Sequence, residues 1–339
     1  MPNPFFPHHV SAVQILTSDI LPWITPALLT FCPSHSPQSS QAIEANFDLC
    51  DQLVATDLDF LEETCTLIES LSLDVEDFRQ ELVRRQCRSG NQQVPCISAV
   101  LDFIEFGSYP DSWSNPIYDA DRKAKEKAFD ICKAALIKAV VEAYGEANNE
   151  EVLWNGKDQA NPGGRYVSRM VDWIKQYNDA YRAGTQSSLL RDDMAICGTL
   201  SLGNLCRKGS SLLCYVNLTT HNSPLTAVDV ATTLLSPPYS LATILSSESF
   251  LGRSVDIKLK HGVLGLLKHV ASFSKLSPLV PATLGSVNAV PVIVASGILD
   301  EKSDVMAEIV QLSAIGVTKH LCNANRKWFN RNLDLASYH

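Results

Sequence analysis

The chain has 339 residues, 45% of them hydrophobic and 19% charged, a composition that belongs to folded rather than disordered protein. Its net charge of −9 argues against nucleic acid and anionic lipid as partners. The ten cysteines include no C-x-x-C pair, and several sit in apolar helix faces as small hydrophobes, so a reducing, intracellular compartment is expected rather than a disulfide framework.

Residues 1–42 form a Pro-rich, partly ordered segment with a short helix expected near 11–30 and a loose loop after it. The opening MPNPFFPHHV lacks a basic n-region, and Asp19, Pro22 and Pro26 interrupt the following apolar run, so neither a secretory signal nor a membrane span is expected. The sequon at Asn217 is then incidental. Residues 43–339 read as one helical repeat domain, with loop insertions near 87–118 and 145–164. Its first part predicts three helical pieces, 42–56, 59–72 and 75–86, the second capped by Asp57 or Asp59 and the third by Asp74. CRSGNQQVPC predicts a loop, 97–106 a short helix, and GSYPDSWSNPIY a second loop. A long helix is expected over 119–144, an exposed insertion over 145–164, and a helix over 166–181 with Met170, Trp173, Ile174 and Tyr177 at core spacing. Helices are further expected over 224–235, ended by the SPP at 236–238, and over 255–271 and 304–322. The Val-rich stretch 276–299 predicts a short helix and turns because Pro291 breaks it as a strand, and 328–335 a polar final cap.

Five helical runs are alignable, the clearest of them within 194–206: EETCTLIESL, CKAALIKAVV, AICGTLSLGNL, KHGVLGLLKHV and LSAIGVTKHL. Their anchors are Leu71, Val140, Leu205, Val270 and Leu321, separated by 69, 65, 65 and 51 residues. Three positions before the anchor stand Ile68, Ile137, Leu202, Leu267 and Thr318; six before it stand Cys65, Ala134, Thr199, Leu264 and Ile315. These columns are expected to share one buried face, with Gly198, Gly203, Gly265 and Gly316 allowing neighbouring helices to approach. No such unit buries its face alone, so the repeats must stack; the fold class expected is an all-α, armadillo/HEAT-like right-handed superhelical solenoid.

Between Asp48 and Glu81 eleven acids stand against one base, Arg79, which accounts for the whole net charge. A surface so charged favours a basic protein segment. No nucleotide-binding, serine-hydrolase or zinc-protease motif is present, and the pairs His8 with His9 and His261 with His269 lack accompanying ligands at useful spacing, so no metal, cofactor or catalytic residue is assigned.

TLSLGNLC at 199–206 resembles the third helix of armadillo repeats at Leu202, Asn204 and Leu205. LEETCTLIESLSLDVEDFR at 61–79, GNLCRKGSS and IKLKHGVLGLLKHVA resemble, more narrowly, the armadillo-repeat GDP dissociation stimulators of small GTPases, fungal members in particular. The resemblance implies a cytoplasmic, non-catalytic regulator without cofactor. It would bind Rho- and Rap-like GTPases with basic, prenylated tails, loosen their hold on GDP and chaperone their lipidated forms. In armadillo proteins the third-helix Asn meets a bound segment's backbone, which carries over to Asn204 alone; Ser70, Ala139, His269 and His320 stand at the corresponding positions. The expected partner-facing residues are therefore a ridge of Asn204, Lys268, His269, Lys319 and His320, together with Asp74, Glu76 and Asp77 for the basic tail. A general armadillo scaffold for peptides or helices is the competing reading, and a hydrolase with a nucleophile assembled from distant loops the third.

Overall fold

The computed structural model describes residues 9–32, 47–89, 92–109, 119–154, 161–185, 188–208, 227–299 and 305–324. Among them fifteen α-helices stand beside a single two-stranded hairpin, the mostly helical content that the amphipathic runs predict. The chain divides into two compact units, Met1–Val152 and Leu153–His339.

In the first unit, α1 (His9–Thr30) packs on α3 (Glu76–Arg84), on strand β1 (Gln86–Ser89) and on α4 (Cys96–Phe106). The anchor-bearing helices α2 (Phe47–Asp74) and α5 (Asp119–Gly145) pack on each other. Phe31, Phe103 and Phe129 join α4 and α5 to the end of α1, with ring centroids 5.4–6.4 Å apart. Such edge-on and stacked contacts stabilise by about 0.5–1.5 kcal/mol each beyond their buried area.

Three expectations are corrected here. The first is the break near residue 57: α2 runs unbroken. Asp57 and Asp59 are exposed on it, while Leu61, Cys65, Ile68 and Ser72 bury at helical spacing, and continuity of that stripe outweighs the weak helix propensity of Asp, a cost under about 0.7 kcal/mol. Asp74 closes α2 and does not cap α3, whose N-cap is Val75 without a side-chain bond. Arg79 does the capping instead, its Nη1 donating to the carbonyls of Ser72 at 3.0 Å and Leu73 at 3.3 Å, acceptors that a helix end leaves unpaired.

The second correction is the loop at 87–96, where β1 pairs antiparallel with β2 (Gln92–Pro95), Cys87 facing Val94. Cys87 is buried, 2% exposed, and a four-residue strand gives too little alternation to be read from composition. The third is the exposed insertion after residue 145. A 3₁₀ turn at Ala147–Asn149 leads into α6 (Glu150–Leu153), and Asn149, Leu153 and Trp154 are buried. Asn149 Nδ2 donates to Ala143 O at 3.0 Å and Arg79 O at 2.8 Å, tying the end of α5 to α3. Residues 155–160 lie outside the described residues, as do 110–118, Asn217 with its sequon, and the expected cap at 328–335.

In the second unit α7 (Gly164–Arg182), α8 (Leu189–Lys208), α12 (Ile257–Ser272) and α15 (Val305–Ala324) pack in that order, each on the next. Shorter helices fill in around them: α9 (Ala227–Leu235), α10 (Leu241–Leu245), α11 (Glu248–Leu251), α13 (Leu279–Ser286) and α14 (Ala289–Val294), the last continuing into a π-helical turn at Ala295–Leu299. The stretch 276–299 consists of short helices and turns, as expected. No single helix among the described residues is long and apolar enough to cross a membrane.

The column three before the anchor is buried at Ile68, Ile137, Leu202 and Leu267, whereas the column six before it is not uniformly so: Ile315 is 47% exposed. Six residues advance a helix by about 240° beyond a full turn, so that column stands about 120° away from the anchor. It is buried at Cys65, Thr199 and Leu264, where other elements cover that side. On α15 the buried stripe is Val310, Ala314, Val317 and Leu321, one residue out of register with Thr318. Gly198 and Gly203 do sit at close approaches, a Cβ on Gly198 falling 2.8 Å from Met170 O and one on Gly203 3.5 Å from Leu266 Cα. Gly265 does not: a Cβ there meets nothing within 4 Å.

Candidate partner-binding surfaces

His261, Lys268 and His269 of α12 are half-buried, four before, three after and four after Gly265, with His261 Nδ1 itself buried. Lys268 lies along α15, where a Cβ on Gly316 would stand 3.0 Å from its Cδ. His269 feels Lys268, Arg207 of α8 and His320 of α15; His320 in turn feels Lys319, Lys268 and Lys275. The fold thus gathers four of the five expected ridge residues, Lys268, His269, Lys319 and His320, onto one patch. Asn204 is half-buried on α8, one turn before Arg207, and takes part in interactions of its own.

Arg207, His261 and Lys275 belong to the same patch but lie outside the positions just before each anchor, where the expected ridge falls. The i, i+4, i+7 and i+8 recurrence of His261, Gly265, Lys268 and His269 is the signal that would have found the α12 part.

Burial first, then Lys268, Arg207 and His320, lowers the pKa of His269 to about 4. His261 is lowered by burial and then Lys268, and His320 by burial and then Lys319, Lys268 and Lys275. All three imidazoles are therefore neutral near pH 7, and the groups shifting them are burial and cations. Lys268, Lys275 and Lys319 form no ion pair among the described residues. At the Lys275 end lies an open cavity of about 400 Å³ lined by Ser274, Lys275, Pro278, Pro281, Ala282 and Asn323.

In the first unit Asp74, Glu76 and Asp77 are exposed around the α2–α3 junction, as are Asp57, Asp59, Glu62 and Glu63 along α2. Several acids have local partners: Glu76 accepts from Gln80 Nε2 at 3.4 Å, Glu69 accepts from Lys138 Nζ at 2.6 Å, Glu146 pairs with Arg79 at 3.5 Å, and Glu81 pairs with Arg85. Among the acids of α2 stand three exposed apolar side chains that the sequence reading passed over, Phe60 (54%), Leu67 (37%) and Leu73 (48%). Phe60, Glu63, Leu67, Ser70 and Asp74 fall along one helical stripe, two of them apolar and two acidic.

No group of three or more metal-ligating side chains occurs among the described residues. Three buried thiols are pushed up in pKa: Cys65 by a hydrogen bond with Cys132 and then burial, Cys96 by a hydrogen bond with Cys87 and then burial, and Cys197, to about 12, by burial. Comparison of the chain with protein-family models, with curated proteins and with solved structures returns no match.

Proposed function

We propose that this chain is an armadillo-like, right-handed superhelical regulator of small GTPases of the Rho/Rap type, engaging their basic, prenylated tails and promoting GDP release or chaperoning the lipidated form. The observation that carries this reading is the α2 stripe, where the exposed carboxylates of Glu63 and Asp74 stand with Phe60 and Leu67. A Lys/Arg-rich tail complements the carboxylates, and its aliphatic stems complement the apolar side chains. The packing of α8 on α12 and of α12 on α15, three helices bearing the recurring run, supports a repeat architecture. Exchange of this kind acts without covalent chemistry or cofactor, because preferential binding of the nucleotide-free GTPase is enough to speed release. The reading places the protein in the cytoplasm. Its test is release of a fluorescent GDP analogue from a panel of purified small GTPases, with pull-down of the same GTPases in parallel; neither acceleration nor binding across the panel would end it.

One observation favours a second reading, a scaffold for linear peptides: the cations of α8, α12 and α15 converge on a single patch of the second unit.

A further inference from the structure

We infer that the ridge of Arg207, His261, Lys268, His269, Lys319 and His320 is a binding site for an extended acidic peptide segment laid across α8, α12 and α15. The inference goes beyond GTPase regulation and does not need it, since the site is defined by its own charge and shape. The chain as a whole carries −9, yet here cations from three helices and the following turn stand together without an ion pair for Lys268, Lys275 or Lys319 among the described residues. Like charges brought together destabilise a fold, and a concentrated field of one sign attracts a partner of the other.

The spread of the charges selects among anions. Packed helices lie about 8–10 Å apart, so a patch crossing three of them spans roughly 20 Å. A single phosphate cannot bridge that distance, whereas an extended chain of about six residues at roughly 3.3 Å each does. A longer, uniformly charged nucleic acid would meet the acidic remainder of the chain and be repelled. The surface at Gly265 is open, with nothing within 4 Å of where a Cβ would stand, so the stretch between His261 and the Lys268–His269 pair has room for such a segment. The open cavity beside Lys275 continues the path at its far end.

The histidines make occupancy proton-linked. Arg207, Lys268 and His320 face His269, Lys268 faces His261, and Lys268, Lys275 and Lys319 face His320, all of them opposing protonation of the empty ridge. A carboxylate-rich segment reverses that balance, so binding takes up protons and tightens as pH falls from about 7 to about 5.5, a range where peptide carboxylates stay ionised.

Fluorescence anisotropy of a labelled oligo-glutamate with the full chain tests the site. Gly265→Glu puts a carboxylate between His261 and the Lys268–His269 pair, on a Cβ that meets nothing within 4 Å, and should weaken binding by about tenfold or more, while Gly265→Ala, whose Cβ is equally free, keeps it. Lys319→Glu, at an exposed position, should also weaken it. Circular dichroism melts confirm that all three variants fold. Binding should weaken with salt and strengthen toward the lower pH. The inference is overturned by absence of oligo-glutamate binding at low salt, by equal affinity in wild type and Gly265→Glu, or by inorganic phosphate or a single-stranded oligonucleotide displacing the probe as well as unlabelled oligo-glutamate does. A GTPase panel that fails to respond leaves these outcomes untouched, so the two readings fail separately.

Discussion

Lys268 of α12 rests its aliphatic stem on Gly316 of α15, where a Cβ would stand 3.0 Å from Cδ, 3.1 Å from Cε and 3.2 Å from Cγ. The neighbour that must yield is a flexible side chain, so Gly316→Ala should be tolerated and gain up to about 1 kcal/mol of helix propensity. Gly198 has a different neighbour: its added Cβ would fall 2.8 Å from the backbone carbonyl of Met170 on α7. Gly198→Ala must separate α7 from α8 and should lose about 1–3 kcal/mol. Urea denaturation of the two variants checks the contrast; similar midpoints for both would show that neither contact is close in solution.

Helix existence was legible because long apolar runs at 3.6-residue spacing are a strong signal, and α1, α4, α5, α7, α12 and α15 fall near their expected places. Boundaries decided by one long-range bond were not legible. Asn149 looks like a turn residue, and only its bonds to Arg79 and Ala143 make the segment a buried joint. The ridge was half legible: the positions before each anchor located Lys268, His269, Lys319 and His320. Arg207 and Lys275 join them through the packing of α8 and the turn after α12, which a sequence does not display. Phe60, Leu67 and Leu73 were not legible as exposed, because spacing alone does not say which sides of α2 lack a packing partner.

Asn149 should be the most sensitive polar position of the first unit. Its side chain is fully buried and donates to two carbonyls, so Asn149→Ala leaves both acceptors without that donor at a cost of about 1–3 kcal/mol. Chemical denaturation measures it. A loss within a few tenths of a kcal/mol would mean that water or another group takes over both acceptors.

Charge reversal at Asp74, Glu76 and Asp77 should weaken binding of a Lys/Arg-rich tail while leaving the melting temperature nearly unchanged, since all three side chains are exposed. Exposed pairs contribute only about 0.2–1 kcal/mol each and are screened over roughly 8–10 Å, so the loss should shrink as salt rises. Stopped-flow association at low salt is the measurement. An unchanged rate would reduce these acids to a solvated face and leave Phe60 and Leu67 as the part of the stripe to test next.

The last expectation concerns protons and stability without any ligand. His269 titrates at about 4 in the folded chain against an ordinary value of 6.5, lowered first by burial and then by Lys268, Arg207 and His320. A folded pKa below the unfolded one means that the unfolded chain binds the proton first. The contribution of His269 is therefore fully present above about pH 6.5 and is lost progressively as pH falls toward 4. His261 and His320 are shifted in the same direction and add to the same slope. Carboxylates also titrate in the lower part of this window, so the diagnostic quantity is the difference between wild type and His269→Gln, which keeps a neutral polar side chain of similar reach. That difference should favour the wild type most near pH 7 and narrow, then reverse, toward pH 4, as the wild type is left with a proton to accommodate among Lys268, Arg207 and His320. Thermal melts of both proteins across the range check it. Parallel curves would show that His269 takes up its proton as easily folded as unfolded, and that the ridge cations lie too far from it, or are too well screened, to resist.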